Sequence, residues 1–227
     1  DTTFALTEDN ILYGWGRNDK YQLGNGNNTN VNTPIQIMTD VSDVSAGYEH
    51  TLALKTNGDV YGFGDNTYGQ LASNGTSIHT PVKIYSNAVS IGTGDYHSLI
   101  VDNTYSLYTA GKNNRGQLGI GNTTNQNSFN LAMSNVKKAA GGYSHTVVID
   151  IGGNVYTCGD NMSRQLGRAV NNYSTEFASV DTATDIWAGA NSTAYLKDSK
   201  LYQCGSGIYP PEGYTTQVYG VNDPQCV

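Results

Sequence analysis

Charge is scarce in this chain of 227 residues: 14% of them are charged, 12 basic against 19 acidic. The net charge of -7 lacks the positive field that nucleic acid or an anionic membrane surface demands, so no nucleic-acid partner is expected. Only four Glu and four His occur, which leaves few combinations for an acid/base site. Three cysteines are too few for a small disulfide-stapled scaffold. No apolar run approaches the roughly 18 residues of a membrane span, so membrane insertion is not expected. The first residues, Asp1-Thr2-Thr3-Phe4, carry neither an initiator Met nor a signal peptide and read as a processed or excised chain.

What is abundant is Gly (27), Asn (25) and Tyr (17), a turn-rich composition that suits many short strands. Compared with itself, the chain shows a period. A Gly closing an aromatic or small pair recurs as Trp15-Gly16, Phe63-Gly64, Ala110-Gly111, Cys158-Gly159 and Cys204-Gly205, at spacings of 48, 47, 48 and 46 residues. In the same phase run Gln22-Leu23-Gly24, Gln70-Leu71-Ala72, Gln117-Leu118-Gly119 and Gln165-Leu166-Gly167. A third column places His50, His97 and His145 three residues after Gly47, Gly94 and Gly142, and Ser192 where the fourth His would be.

Within one copy, Thr51 to Leu54 leads through Asn57-Gly58 into Val60 to Phe63, the signal of a hairpin with a type I′ turn. Thr33-Pro34-Ile35 and Thr80-Pro81-Val82 read as outer strands, which tolerate Pro, and Val41 to Ala46 as an inner one. Four strands in 46–48 residues is the arithmetic of a propeller blade. The expected fold is all-β, one β-propeller domain over 1–227, built from five copies at 1–40, 41–88, 89–135, 136–183 and 184–227. The first copy lacks its leading strand. The tail Thr215 to Val221 resembles an outer strand, and closure of the ring by the C-terminus is favoured over an open arc completed by another segment or chain.

These columns resemble the β-propeller repeats of the regulator of chromosome condensation, whose pattern Ala46 to Ala72 follows almost position by position. The resemblance covers residues 3 to 205 and dissolves after Gly205. It implies a propeller, and a scaffold that acts as a guanine-nucleotide exchange factor for a small GTPase through an acidic face and a protruding wedge. The near-equal repeats leave no insertion for such a wedge. It also implies that His50, His97 and His145 are structural, their rings bonded to backbone between blades.

The Asn and Gln columns and Gly16, Gly64, Gly111, Gly159 and Gly205 read as scaffold, because buried amides and tight turns hold the connections together. The position after each repeat Gly is Arg17, Asp65, Lys112, Asp160 or Ser206, so no column of acids exists. Nucleotide-binding, metalloprotease, hydrolase and calcium motifs are absent, and neither enzymatic activity nor a metal or other cofactor is expected. Cys158 and Cys204 share a packing column, and Cys204 is the candidate disulfide partner of Cys226. Asn27, Asn74, Asn122 and Asn172 head sequons in the loop after Gln-Leu-Gly and, with Asn191, are candidates for N-glycosylation; Asn161 is expected to be inaccessible.

The candidate contact surface is the set of turns before each His: Tyr48, Glu49, Asp95, Tyr96, Tyr143 and Ser144. The leading expectation is a non-enzymatic binding or structural module, an extracellular or cell-surface glycoprotein acting in adhesion or as a filament subunit through a protein partner or self-association. The alternatives are the intracellular, cytoplasmic exchange-factor scaffold and a secreted inhibitor propeller that caps an enzyme.

Overall fold

In the computed structural model, residues 1–206 are described in full and residues 216–218 by their backbone. The fold is all-β, and among the described residues the strands form five sheets in chain order. The first holds β1 (Thr2–Leu6), β2 (Leu12–Gly16) and β3 (Val31–Met38). The second holds β4 (Val41–Ala46), β5 (His50–Lys55), β6 (Val60–Asp65) and β7 (Ser77–Tyr85). The third is β8 (Ala88–Thr93), β9 (His97–Asp102), β10 (Leu107–Gly111) and β11 (Gln126–Met133). The fourth is β12 (Val136–Gly141), β13 (His145–Asp150), β14 (Asn154–Asp160) and β15 (Tyr173–Thr182). The fifth is β16 (Asp185–Gly189), β17 (Asn191–Lys197), β18 (Lys200–Ser206) and β19 (Thr216–Val218). The first four are up-and-down antiparallel meanders, the topology of a propeller blade, and the fifth keeps chain order with its last strand parallel.

The alternation in the sequence explains the packing. In β5, β9 and β13 both faces are buried, since each second strand lies between its own sheet's neighbours and the adjoining sheets. Leu52, Leu99, Val147 and their partners make three clusters, the first running through the first three sheets and the others between the third and fourth and the fourth and fifth. The inner strands pack on the next sheet from first to fifth, β1 on β4, β4 on β8, β8 on β12 and β12 on β16. Among the described residues there is no substantial packing of the fifth sheet on the first. The outer strands β3, β7, β11 and β15 are half-buried or exposed, and Pro34 and Pro81 sit there, where a missing N–H breaks no inner ladder.

Two expectations change. The hairpin turns at Asn10, Gly58 and Gly153 are not type I′: these residues have positive φ (61°, 85° and 84°) but the residues before them do not, whereas the fifth sheet turns through Asp198-Ser199, both at positive φ (50° and 60°), as type I′ requires. Lys55 N–H bonds to Asp59 O and Gly58 N–H to Lys55 O, so the loop has three residues, a type I turn followed by one left-handed residue. The other concerns closure. β19 does take the outer place in the fifth sheet, but it pairs parallel to β18, whereas every other outer strand is antiparallel. Its C-terminal end therefore lies at the opposite end of the sheet from the one where β3, β7 and β11 hand over to the next inner strand. Val221 and Cys226 lie outside the described residues, and with them the closing segment and the Cys204–Cys226 bridge.

Candidate functional site

The turns before the His strands and the Gln-Leu-Gly loops gather at one end of the sheets, because His50 pairs with Gly64, His97 with Gly111 and His145 with Gly159. A belt of backbone hydrogen bonds joins these turns across sheets. Tyr48 N–H donates to Asp95 O at 3.0 Å, Asp95 N–H to Gly142 O at 3.2 Å and Tyr143 N–H to Ala190 O at 2.8 Å. Beneath the belt each imidazole reaches the hydroxyl one residue after the next His position. His50 Nε2 meets Ser98 Oγ at 3.0 Å, His97 meets Thr146 Oγ1 at 2.9 Å and His145 meets Thr193 Oγ1 at 3.0 Å. The rings thus bond side chains of the following sheet, and the backbone of Asp95 and Ser192 in that sheet also bears on His50 and His145. Thr146 Oγ1 itself donates to Gln117 O, so His97 Nε2 carries the proton and donates. Burial drives all three pKa values down, to about 4 for His50, about 3 for His97 and about 4 for His145, so they are neutral at pH 7.

The loops are built on the Asn and Gln columns. Asn18, Asn66, Asn113 and Asn161 each accept a hydrogen bond from the N–H of the Leu five residues on and donate to carbonyls farther along the loop. Asn161 is buried, as expected for this column. Gln70 and Gln165 donate to Asp65 and Asp160, five residues earlier. In the third copy that place is Lys112, and the Nε2 of Gln117 is left buried without a partner. In the first copy, where Arg17 stands after the repeat Gly, Gln22 donates instead to Asp19, so the third loop is the one whose Gln amide is left unpaired.

On the outside of this end lies a row of aromatic and cationic side chains. The Arg17 guanidinium bonds Asp19 at 2.6 Å and Glu49 at 2.8 Å and lies 5.3 Å over the Tyr48 ring. Tyr48 is 5.7 Å from Tyr96, and Tyr96 meets Tyr68 edge-on at 5.4 Å. Lys112 closes the row, 5.0 Å over Tyr96 and 5.1 Å over Tyr68. Burial, then the Glu49 charge, pushes the Tyr96 phenol up to about 12, and burial raises the Asp95 carboxyl despite Lys112. Tyr48 and Tyr143 are exposed at 54% and 47%.

Of the six expected contact residues, Tyr48 and Tyr143 are on the surface, while Glu49, Asp95 and Tyr96 are half-buried within the row or beside it. Ser144 is buried, which removes it from the contact surface: its carbonyl receives the Asp160 N–H beneath the turn. Arg17, Lys112 and Tyr68 were not singled out in the sequence, although the cations at the position after the repeat Gly were the available signal. Asn27, Asn74, Asn122 and Asn172 are exposed on their loops, and Asn191 is half-buried at the start of β17. Cys158 and Cys204 are buried and donate to the carbonyls of Gln117 and Gln165 in the preceding sheet. Among the described residues no cluster could hold a metal ion.

Consecutive antiparallel sheets packed one on the next, with their turns and loops gathered at one end, define a β-propeller fold. The family model of the RCC1-like domain matches residues 1–219, and the chain belongs to that family. It is 44% identical over 73 residues to the ultraviolet-B receptor UVR8 of Arabidopsis thaliana, covering 30% of this chain and 17% of that protein. With the RCC2 homolog of Xenopus laevis it shares 42% over 73 residues, 30% of this chain and 14% of that one. The fold of Prp20p from Saccharomyces cerevisiae, described with its binding to Gsp1p and histones, covers 90% of this chain and 56% of Prp20p, with a TM-score of 0.78 at 17% identity. The chain thus matches only a fraction of each of these relatives.

Proposed function

We propose that this chain is a non-enzymatic protein-binding arc whose partner docks on the turn end, across Tyr48, Tyr96 and Tyr143, and that the partner is a small GTPase. The observation that carries the reading is the row from Arg17 to Lys112. Its cations hold the tyrosines in place, so little side-chain freedom is lost on docking, and Tyr and Arg are the residues that dominate binding hot spots. Family membership and the likeness to Prp20p, which binds Gsp1p, support the GTPase class over the adhesive, filament-forming or glycan-bearing readings, which rest on composition and sequons alone.

Among the described residues the long loops at this end, 17–30, 66–76, 112–125 and 161–172, are nearly equal in length, and none carries an insertion that could form a wedge. The complex proposed therefore holds the GTPase more than it empties it. Titration of Gsp1p in nucleotide-free and loaded forms tests both parts. Binding with little acceleration of nucleotide release is expected, and Tyr48→Ala with Tyr96→Ala should weaken it by about thirtyfold, the size of one hot spot. Unchanged affinity in that double variant would remove the turn end as the docking face, and no binding to any small GTPase would remove the partner class.

A further inference from the structure

The Gln side chains of the Gln-Leu-Gly loops all take one pose. Each Oε1 accepts the N–H of the residue two places earlier, from Lys20 to Gln22, Tyr68 to Gln70, Arg115 to Gln117 and Ser163 to Gln165, at 2.8 to 2.9 Å. That bond fixes which end of the amide is the oxygen, so each Nε2 faces the start of its own loop as a donor. In three copies a carboxylate meets it there. Asp65 Oδ2 receives Gln70 at 2.7 Å, Asp160 Oδ2 receives Gln165 at 2.7 Å and Asp19 Oδ1 receives Gln22 at 3.3 Å.

The third copy has neither acid. Lys112 stands at the place of Asp65 and Asp160, and Asn114 at the place of Asp19. Gln117 is 0% exposed, and its Nε2 is buried without a hydrogen-bond partner. A buried donor left in that condition costs about 1–3 kcal/mol, which an acid in this copy would have removed. The chain carries a cation there instead. Lys112 Nζ lies over the Tyr96 and Tyr68 rings, which orient the ammonium without cancelling its charge. Among the described residues no carboxylate is within ion-pair distance of it, not even Asp95, which feels its charge. The next seam shows the contrast: Arg115 of the third loop faces Asp160 of the fourth sheet at 3.6 Å, so that cation is matched. Tyr68, the counterpart of Arg115 in the second loop, faces Lys112 and brings no charge.

We propose that the start of the third loop is a socket for a carboxylate carried by the docking partner, an Asp or Glu side chain that accepts from Gln117 Nε2 and pairs with Lys112. The inference rests on the turn end being the docking face, and it adds the chemistry that face selects: an acidic residue of the partner set beside its contact with Tyr96. The place is reachable. Asp160, at the equivalent position, keeps 13% of its side chain in solvent, and Asn114 beside Lys112 is exposed. An incoming carboxylate thus completes in the third copy the bond that the other copies make within the chain, and gains a charge partner that they lack.

The test observes the Gln117 side-chain amide by NMR, its resonance assigned by its absence from Gln117→Glu. The isotope-labelled chain is titrated at constant ionic strength with N-acetylglutamate blocked as its α-amide, whose only charge is the side-chain carboxylate. A saturable downfield movement of the Gln117 protons is expected, with none for the corresponding N-acetylglutamine compound. Lys112→Met, which keeps the stem and removes the charge, should weaken the response at least about tenfold. Lys112→Asp rebuilds the acid of the second and fourth copies, so it should abolish the response and raise the melting temperature by about 3 °C. An amide that does not move, or that moves equally with the neutral compound, overturns the proposal. So does saturation at lower concentration by inorganic phosphate, which would make the ligand a phosphoryl group, and so does a Lys112→Asp chain that melts no higher than its parent. None of these readings uses a GTPase, so their failure leaves the docking face standing. Unchanged Gsp1p binding by the Tyr48→Ala, Tyr96→Ala variant, by contrast, removes the face while the Gln117 response persists.

Discussion

Gly64→Ala leaves little folded protein. The residue has φ +103°, and an added Cβ would stand 2.5 Å from the Glu49 carbonyl oxygen, 2.8 Å from His50 Cα and 3.3 Å from Gln22 Cα. All three are backbone atoms, one of them in the preceding sheet, and the Glu49 oxygen already receives the Asp65 N–H at 2.8 Å. Relief requires parting two strands and opening a seam, so a loss of about 4 kcal/mol or more is expected, much of the ~5–15 kcal/mol that holds a domain folded. Gly75→Ala is the comparison: φ is +89°, but the nearest atom to a Cβ is 4.0 Å away. Only the left-handed backbone penalty of about 1–2 kcal/mol remains there. Gly58→Ala falls between, with the Ala88 carbonyl oxygen 3.2 Å from the Cβ position. Thermal melts should rank Gly75→Ala above Gly58→Ala above Gly64→Ala. Similar melting temperatures for all three would show that crowding is not what selects Gly in this column.

The same contact explains why so much of the architecture could be read from sequence. Gly16, Gly111, Gly159 and Gly205 share this positive φ and this crowding against the strand before them, so one backbone constraint wrote itself into five places. The Asn and Gln amides did likewise, because each closes the same loop with the same backbone groups. What could not be read depends on neighbours in other sheets. Arg17 and Glu49 are 32 residues apart and meet only because two sheets pack at one angle. Ser144 and Tyr143 are adjacent in a turn, yet one is buried and the other exposed, which the composition of the turn does not reveal. The direction of β19 follows a stretch where the repeat pattern has already ended, and no column was left to set its register. Repetition thus reports the scaffold, and the candidate binding row is carried by the positions where copies differ.

Acid will unfold this protein well above the pH at which most carboxylates titrate. His50, His97 and His145 are fully buried, each bonded to a hydroxyl of the next sheet, and burial holds their pKa values at about 4, 3 and 4. The unfolded chain binds protons at all three as pH falls below about 6.5, while the folded chain does not. Their contribution is therefore complete above that value and drains between pH 6.5 and about 4. With three protons taken up by the unfolded state alone, the slope reaches about 4 kcal/mol per pH unit. Asp102 and Asp150 also favour the fold when charged. Burial opposes them, but hydrogen bonds from Thr104 and Ser106, and from Asn154 and Gly152, keep their carboxyl groups below the usual range, so their loss comes only below pH about 4. Burial raises the Asp43 and Asp95 carboxyls, and these act in the opposite sense, gaining protons in the folded state. Urea titrations at pH 7, 6, 5 and 4.5 measure the slope, and His97→Gln should reduce it to about two thirds, since one of three titrating groups is gone. An unchanged slope in that variant, or stability that is flat from pH 7 to 5, would mean that the imidazoles take up protons without parting the sheets.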